Sequence, residues 1–226
     1  MRDGLRTLRQ GSGAPDLLVL LPGAYMTPDH FADNGFFAAV DRRRLALDLV
    51  AVDLDLEAIS SGSALATVHR EILAPARIDY ARVWLGGISL GGLLALCHAA
   101  DAPGSVDGLC LLAPYPGSRL TTNAIARAGG LDRWRPAAGE RDDPEFRVWD
   151  WLRRPPPDLP AFVGWGSDDR FANGMAEIAG RFPPAARCAL PGGHDWPVWR
   201  DLWGCFLDLG HFARLAETTS TGRGEA

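Results

Sequence analysis

Two hydrophobic rhythms alternate along the chain. Short unbroken apolar runs occur at Asp16–Leu21, Leu47–Asp53, Arg82–Gly86, Gly108–Ala113, Ala161–Gly166 and Arg187–Leu190. Runs of this length without polar alternation predict strands buried on both faces. Between them the spacing predicts helices over His30–Arg43, Ser63–Leu73, Leu90–Ala100, Phe171–Phe182 and Val198–Leu215. Asp29, after Pro28, is expected to cap the first of these, and Ser63 the second. A short edge strand is expected at Leu5–Leu8. Strand and helix in strict alternation predict an α/β fold, a doubly wound, mostly parallel sheet of about six to seven strands covered on both faces. The expected organisation is one domain over residues 1–226.

One stretch breaks the rhythm. Residues 116–160 contain no strand pattern, yet carry Trp134, Trp149 and Trp151 among many charged residues and end in Pro155-Pro156-Pro157. Disordered segments are poor in aromatics, so a small helical lid insertion is expected here. The polar tail from Glu217 onward is expected to be disordered. No apolar run approaches the length of a membrane span, and the first ten residues are not followed by the apolar h-region of a leader, so a cytoplasmic location without a secretory leader is expected.

Composition narrows the chemistry. All 23 basic residues are arginine and none is lysine. That excludes a Schiff-base lysine, a P-loop lysine and a Ser–Lys dyad, each of which needs the ammonium stem. A net charge of -5 disfavours a nucleic-acid partner. Cys97, Cys110, Cys188 and Cys205 are far apart and form no C-x-x-C pair, so they read as small buried hydrophobes. No two histidines have a zinc-ligand spacing, and no metal is expected.

The strongest chemical signal is Gly87-Ile88-Ser89-Leu90-Gly91, placed between a predicted strand and a predicted helix. A G-x-S-x-G turn there is a nucleophile elbow: the serine projects from a strained turn, and its flanking positions must be small. The helix start also favours negative charge beside the serine. A base is needed, and His194 in Pro191-Gly192-Gly193-His194-Asp195-Trp196 follows the last strand, at the sheet edge where the serine projects. His69, His98 and His211 lie in helical patterns, and His30 reads as a capping or surface residue. An orienting carboxylate is available from Asp168 or Asp169, both at the end of the strand Ala161–Gly166. The order serine, acid, histidine is the one this elbow expects. For an oxyanion, Leu90 N–H supplies one donor, and Ala24 or Tyr25, in the loop Leu21-Pro22-Gly23-Ala24-Tyr25-Met26, the second.

From about Asp16 to Leu215 this combination resembles the α/β-hydrolase superfamily. The resemblance implies that Ser89 is the nucleophile, His194 the base and Asp169 the acid, because members commonly read Gly-x-x-Asp after this strand, as Gly166 to Asp169 does. It implies that Ala24 completes the oxyanion hole with Leu90. Many members have His-Gly in that loop, whereas this chain has Pro22-Gly23. His194 to Trp199 is also similar to the His-x-Trp-x-x-Trp ending of some esterases and mycolyl acyltransferases.

The expected function is that of a serine hydrolase of carboxylic esters or thioesters, esterase- or thioesterase-like, needing no cofactor or metal. Its expected partner is a small-molecule ester or thioester, and Tyr25, Met26, Ile88, Tyr115, Phe171 and Trp196 are the expected substrate-binding residues. An acyltransferase or perhydrolase on the same residues, and a non-catalytic ligand-binding module, are the alternatives. Oligomeric state has no signature in the sequence.

Overall fold

A computed structural model of the chain describes residues 4–11 and 13–215; the tail from Glu217 lies outside the described residues. Seven strands form one sheet: β1 (Thr7–Gln10), β2 (Asp16–Leu21), β3 (Leu47–Val52), β4 (Arg82–Ile88), β5 (Gly108–Leu112), β6 (Ala161–Gly166) and β7 (Arg187–Leu190). Their order is β1-β3-β2-β4-β5-β6-β7. Only β1 runs antiparallel to its neighbour, pairing Thr7 with Val52 and Gln10 with Leu49; the edge strand sits two residues later than the sequence suggests. The other pairs are parallel, with Leu21 beside Gly87 and Ile88 beside Leu112.

The strands are buried on both faces because helices cover both. Leu17, Val19 and Leu21 of β2 turn to one apolar layer, and Leu18 and Leu20 to the other, which is the period of two expected of a strand. The first layer is closed by α4 (Ser63–Val68), α5 (Ala74–Asp79), α6 (Leu90–Asp101) and α8 (Pro144–Leu152). The second is closed by α1 (Pro28–Asp33), α2 (Phe36–Arg43) and α10 (Trp196–Leu207), while α9 (Ala172–Ala179) feeds both. Two further helices, α3 (Leu56–Ser60) and α7 (Arg119–Arg127), complete the set. Among the described residues no helix is long and apolar enough to cross a membrane.

Several helices depart from the expected spans for local reasons. The expected helix over His30–Arg43 is two helices, because Gly35 at φ 77° turns the chain between them. Its cap is Thr27 rather than Asp29, and His30 Nδ1 accepts the Thr27 N–H at 2.9 Å, which places the imidazole proton on Nε2. Gly62, at φ 74°, precedes α4 where Ser63 was the expected cap. A π-turn over His69–Leu73 then carries the chain into α5. The last helix ends at Leu207 instead of Leu215, and Arg214 pairs with Leu45 as an isolated bridge.

The segment 116–160 holds α7, α8 and a short 3-10 turn at Ala138–Glu140. Trp134 and Trp149 are 3% and 1% exposed and lie in the layer shared with α6. Trp149 Nε1–H donates to the Pro116 carbonyl at 2.9 Å, and Arg147 holds Asp101 at the end of α6 with two bonds of 2.9 and 3.0 Å. So α8 serves as the crossover between β5 and β6, with its tryptophan turned into the core. On α7 the apolar residue left in solvent is Leu120, 77% exposed.

Candidate active site

Strand order places the site. β3 lies on one side of β2 and β4 on the other, so the connections leaving β2 and β4 part at their C-terminal ends. Such a switch point opens a crevice in a parallel sheet. The loop Pro22–Thr27 leaves β2 there, and Ser89 leaves β4 beside it.

Ser89 occupies φ 53°, ψ -112°, an unusual conformation for a residue with a Cβ. It is held from several sides. Ser89 N–H donates to Leu112 O at 3.0 Å, and Tyr115 and Leu93 N–H groups both donate to Ser89 O, at 2.9 and 3.2 Å. A Cβ on Gly87 would sit 2.5 Å from the Gly91 carbonyl carbon, and one on Gly91 would run into the Leu21 carbonyl. Two glycines are therefore required for the turn to pass between β2 and the start of α6.

His194 Nε2 is 2.8 Å from Ser89 Oγ. His194 Nδ1 is hydrogen-bonded to Asp169 Oδ2. An ionised carboxylate only accepts, so the imidazole proton is on Nδ1 and Nε2 is free to accept from the serine. The Asp169 side chain is fully buried, and its second oxygen accepts the Phe171 N–H at 2.9 Å. Asp168, one residue earlier, turns elsewhere: its Oδ2 accepts the Gly192 N–H at 3.0 Å. The two loops meet backbone to backbone, since a Cβ on Gly166 would overlap the Gly192 and Gly193 carbonyls.

The two expected donors lie in the segments that leave β4 and β2. Leu90 is the first residue of α6, so its N–H has no carbonyl four residues back. Ala24 is exposed in a turn closed by Met26 N–H on Gly23 O at 3.1 Å, with Tyr25 at φ 62°. Pro22 is buried beneath this turn.

The expected substrate-binding residues separate into groups. Phe171 meets the His194 ring nearly at right angles with centroids 5.9 Å apart, and meets Tyr115 at 5.2 Å. Tyr25 is 86% exposed at the rim, and Met26 is half-buried behind it. Ile88 is fully buried among β-strand and α10 side chains beneath the serine, and so is not at the surface of the site. Trp196 packs on Phe31, Phe36 and Trp199. Trp199, to which the sequence gives only a place in the His-x-Trp-x-x-Trp similarity and no role, has its ring 5.1 Å from His194 at 87°. Its signal is the helix cap: Asp195 accepts the Val198 N–H at 3.2 Å, so positions 196 and 199 share a face beside the histidine loop. Phe171 and Trp199 thus border the imidazole and fix its plane.

Among the described residues no group of His, Cys, Asp and Glu is arranged to hold a metal ion. A hydroxyl bonded to an imidazole, itself held by a buried carboxylate, is the arrangement that lets a serine shed its proton as it attacks an electrophilic carbon.

Known proteins share this framework. The model of the alpha/beta hydrolase family matches residues 18–218. No curated protein matches the chain in sequence. Among solved structures, the fluorophosphonate-binding serine hydrolase F of Staphylococcus aureus is similar with TM-score 0.61 at 11% identity, over 92% of this chain and 99% of that one. A ferulic acid esterase is similar with TM-score 0.56 at 13% identity, over 91% and 98%. A monoacylglycerol lipase of Paleococcus ferrophilus is similar with TM-score 0.56 at 15% identity, over 91% and 97%. With the family model spanning all but the ends of the chain, the chain belongs to the alpha/beta hydrolase family.

Proposed function

We propose that the protein cleaves carboxylic esters or thioesters through an acyl-enzyme on Ser89. The observation that carries this reading is the continuous chain of hydrogen bonds from Ser89 Oγ through His194 to buried Asp169. In the first step Ser89 Oγ attacks the carbonyl carbon while His194 Nε2 takes its proton. Asp169 keeps the imidazole in the right tautomer and stabilises the imidazolium. The negative oxygen of the tetrahedral intermediate is held by the Leu90 and Ala24 N–H groups, aided by the start of α6. The intermediate collapses, the C–O or C–S bond breaks, and His194 returns its proton to the leaving alkoxide or thiolate. Water then repeats the sequence on the acyl-serine, giving acid and free enzyme. This chemistry uses no metal or cofactor.

Tyr25, Met26, Tyr115 and Phe171 form the apolar walls nearest the reacting centre, and α7 with Leu120 is the part of the 116–160 segment available to act as a cover. The ferulic acid esterase and the monoacylglycerol lipase support the ester bond as the target.

A fluorophosphonate probe tests the reading, together with a panel of p-nitrophenyl esters and acyl thioesters of graded chain length. Wild-type protein is expected to be labelled at Ser89 alone and to turn over part of the panel. Ser89→Ala is expected to lose both labelling and turnover while keeping its thermal stability; undiminished turnover in that variant would overturn the proposal.

A further inference from the structure

Arg170 follows Asp169 directly in the loop after β6. Its guanidinium carbon is 4.6 Å from the Phe171 ring centroid, over the ring. That ring is the one that borders both His194 and Tyr115. Tyr115 in turn donates its N–H to the Ser89 carbonyl. Phe171 therefore touches both an arginine charge and the imidazole.

Most well-placed arginines of this chain are spent on carboxylates. Arg43 holds Asp208, Arg77 holds Asp107, Arg82 holds Asp16, Arg147 holds Asp101 and Arg181 holds Asp132. Arg170 has no carboxylate partner among the described residues; its recorded contact is the face of Phe171. The acids of the surrounding loops are already engaged. Asp169 is taken by His194 and the Phe171 N–H, Asp168 by the Gly192 N–H, and Glu145 by the Ser118 N–H and the Thr121 hydroxyl. The backbone on either side of Arg170 is pinned as well, since Ala172 N–H donates to Asp169 O at 2.9 Å and Phe171 N–H to the Asp169 side chain. The result is an exposed cation, anchored at its root and flattened on a ring, with its donor fork unfilled. A guanidinium in that state pairs with a carboxylate or phosphate through two parallel hydrogen bonds, and stacking lowers the entropy lost on doing so.

We infer that Arg170 makes the site selective for substrates that carry an anionic group, a carboxylate or a phosphate, a few atoms from the scissile carbonyl. The inference rests on Ser89 being the nucleophile, and it adds a charge preference to a pocket whose other walls are apolar.

Matched substrate pairs test it. p-Nitrophenyl butyrate against the mono-p-nitrophenyl ester of glutaric acid puts a carboxylate on the acyl side. Methyl 4-(butyryloxy)benzoate against the free acid puts one on the leaving group. 4-(Butyryloxy)phenyl phosphate against the 4-methoxyphenyl ester replaces the carboxylate by a phosphate. In at least one pair wild-type kcat/KM is expected to favour the anionic member by about fivefold or more, the scale of a partly exposed charge pair. In Arg170→Gln that ratio is expected to fall to about one, and in Arg170→Lys to be partly kept. Raising salt from about 0.02 to about 0.5 M is expected to shrink the ratio in wild type and not in Arg170→Gln. A structural role for Arg170 would lower both members of a pair together and leave the ratio alone, and that result overturns the inference. Turnover of neutral esters with no pair sensitive to Arg170 also overturns it, and leaves the hydrolase reading standing. No turnover of any ester and no labelling of Ser89 removes that reading, and the inference with it.

Discussion

Asp168 and Gly192 hold each other twice: Gly192 N–H donates to Asp168 Oδ2 at 3.0 Å, and Asp168 N–H donates to Gly192 O at 2.9 Å. This clasp ties the loop after β6 to the loop that carries His194, while the neighbouring Asp169 bonds the imidazole itself. The two acids should therefore fail differently. Asp169→Asn is expected to lower kcat by about 10³–10⁴, because the amide favours the wrong imidazole tautomer. Asp168→Asn keeps an acceptor for Gly192 and is expected to cost less than about tenfold, and Asp168→Ala to lower stability by about 1 kcal/mol. Ester kinetics and thermal melts of the three variants check the ranking.

The 116–160 segment separates into a structural part and a candidate cover. Trp149 is buried on α6 with its indole N–H bonded, so Trp149→Ala is expected to cost about 3–5 kcal/mol and to leave acyl-chain preference unchanged in whatever protein still folds. Leu120 is exposed on α7, so Leu120→Ala is expected to leave the melting temperature within about 2 °C and to change the ratio of kcat/KM between long and short acyl esters. Thermal melts and a chain-length series read both.

Acid should loosen the apolar layer behind the elbow helix. His98 on α6 is buried, packs at 5.3 Å on His69, and donates from Nε2 at 2.9 Å to Ser105 Oγ, which in turn donates to Ala102 O. Burial and the neighbouring His69 depress its pKa from 6.5 to about 4. The folded state thus binds fewer protons than the unfolded chain between these values. Stability from this group is complete above about pH 6.5 and is lost as pH falls toward about 4. Melting temperature is expected to drop across that window, with a shallower slope in His98→Gln.

Two residues at the ends of adjacent central strands are held in left-handed backbone. Ser89 and Ala113, which follow adjacent strands β4 and β5, have φ of 53° and 45°. Ala113→Gly removes the Cβ from a left-handed position and is expected to raise stability by about 1 kcal/mol, offset in part by the freer unfolded chain. Gly91→Ala places a Cβ on the Leu21 carbonyl and is expected to prevent soluble expression or to cost several kcal/mol. Chemical denaturation of the two variants gives opposite signs if strain and crowding are assigned correctly.

Sequence and structure agree best where a single physical cause dominates. The continuous apolar runs named every central strand, because a strand covered on both faces is apolar along most of its length; the buried Asp16 and Asp48 lie at the N-terminal ends of β2 and β3. The elbow and the histidine loop were legible because only certain residues fit a crowded strand-to-helix turn. Legibility failed where two causes compete. Gly87 and Ile88 read as the turn beyond the strand Arg82–Gly86, yet both stay in the ladder opposite Leu111 and Leu112, and β4 runs on to Ile88. Tryptophans among charged residues suit a cover or a crossover helix equally, and only packing on α6 turned Trp149 inward. Asp168 and Asp169 are adjacent and chemically identical; the turn's geometry sends one to Gly192 and the other to His194, and no periodicity encodes that choice.

The tightness of the elbow divides the site into an anvil and its walls. Gly87, Gly91 and the carbonyls of Leu21 and Pro22 leave no slack between β4, α6 and β2, so Ser89 has nowhere to move. Any accommodation to differently shaped substrates then falls on the parts hung from other strand ends: the Ala24–Met26 turn, α7, and the Arg170–Phe171 corner. Under the proposed function, variation among such parts would retune what is accepted without disturbing Ser89 Oγ. The same rigidity makes the elbow a poor place to redesign, since a change there is felt by two strands and a helix before it is felt by a substrate.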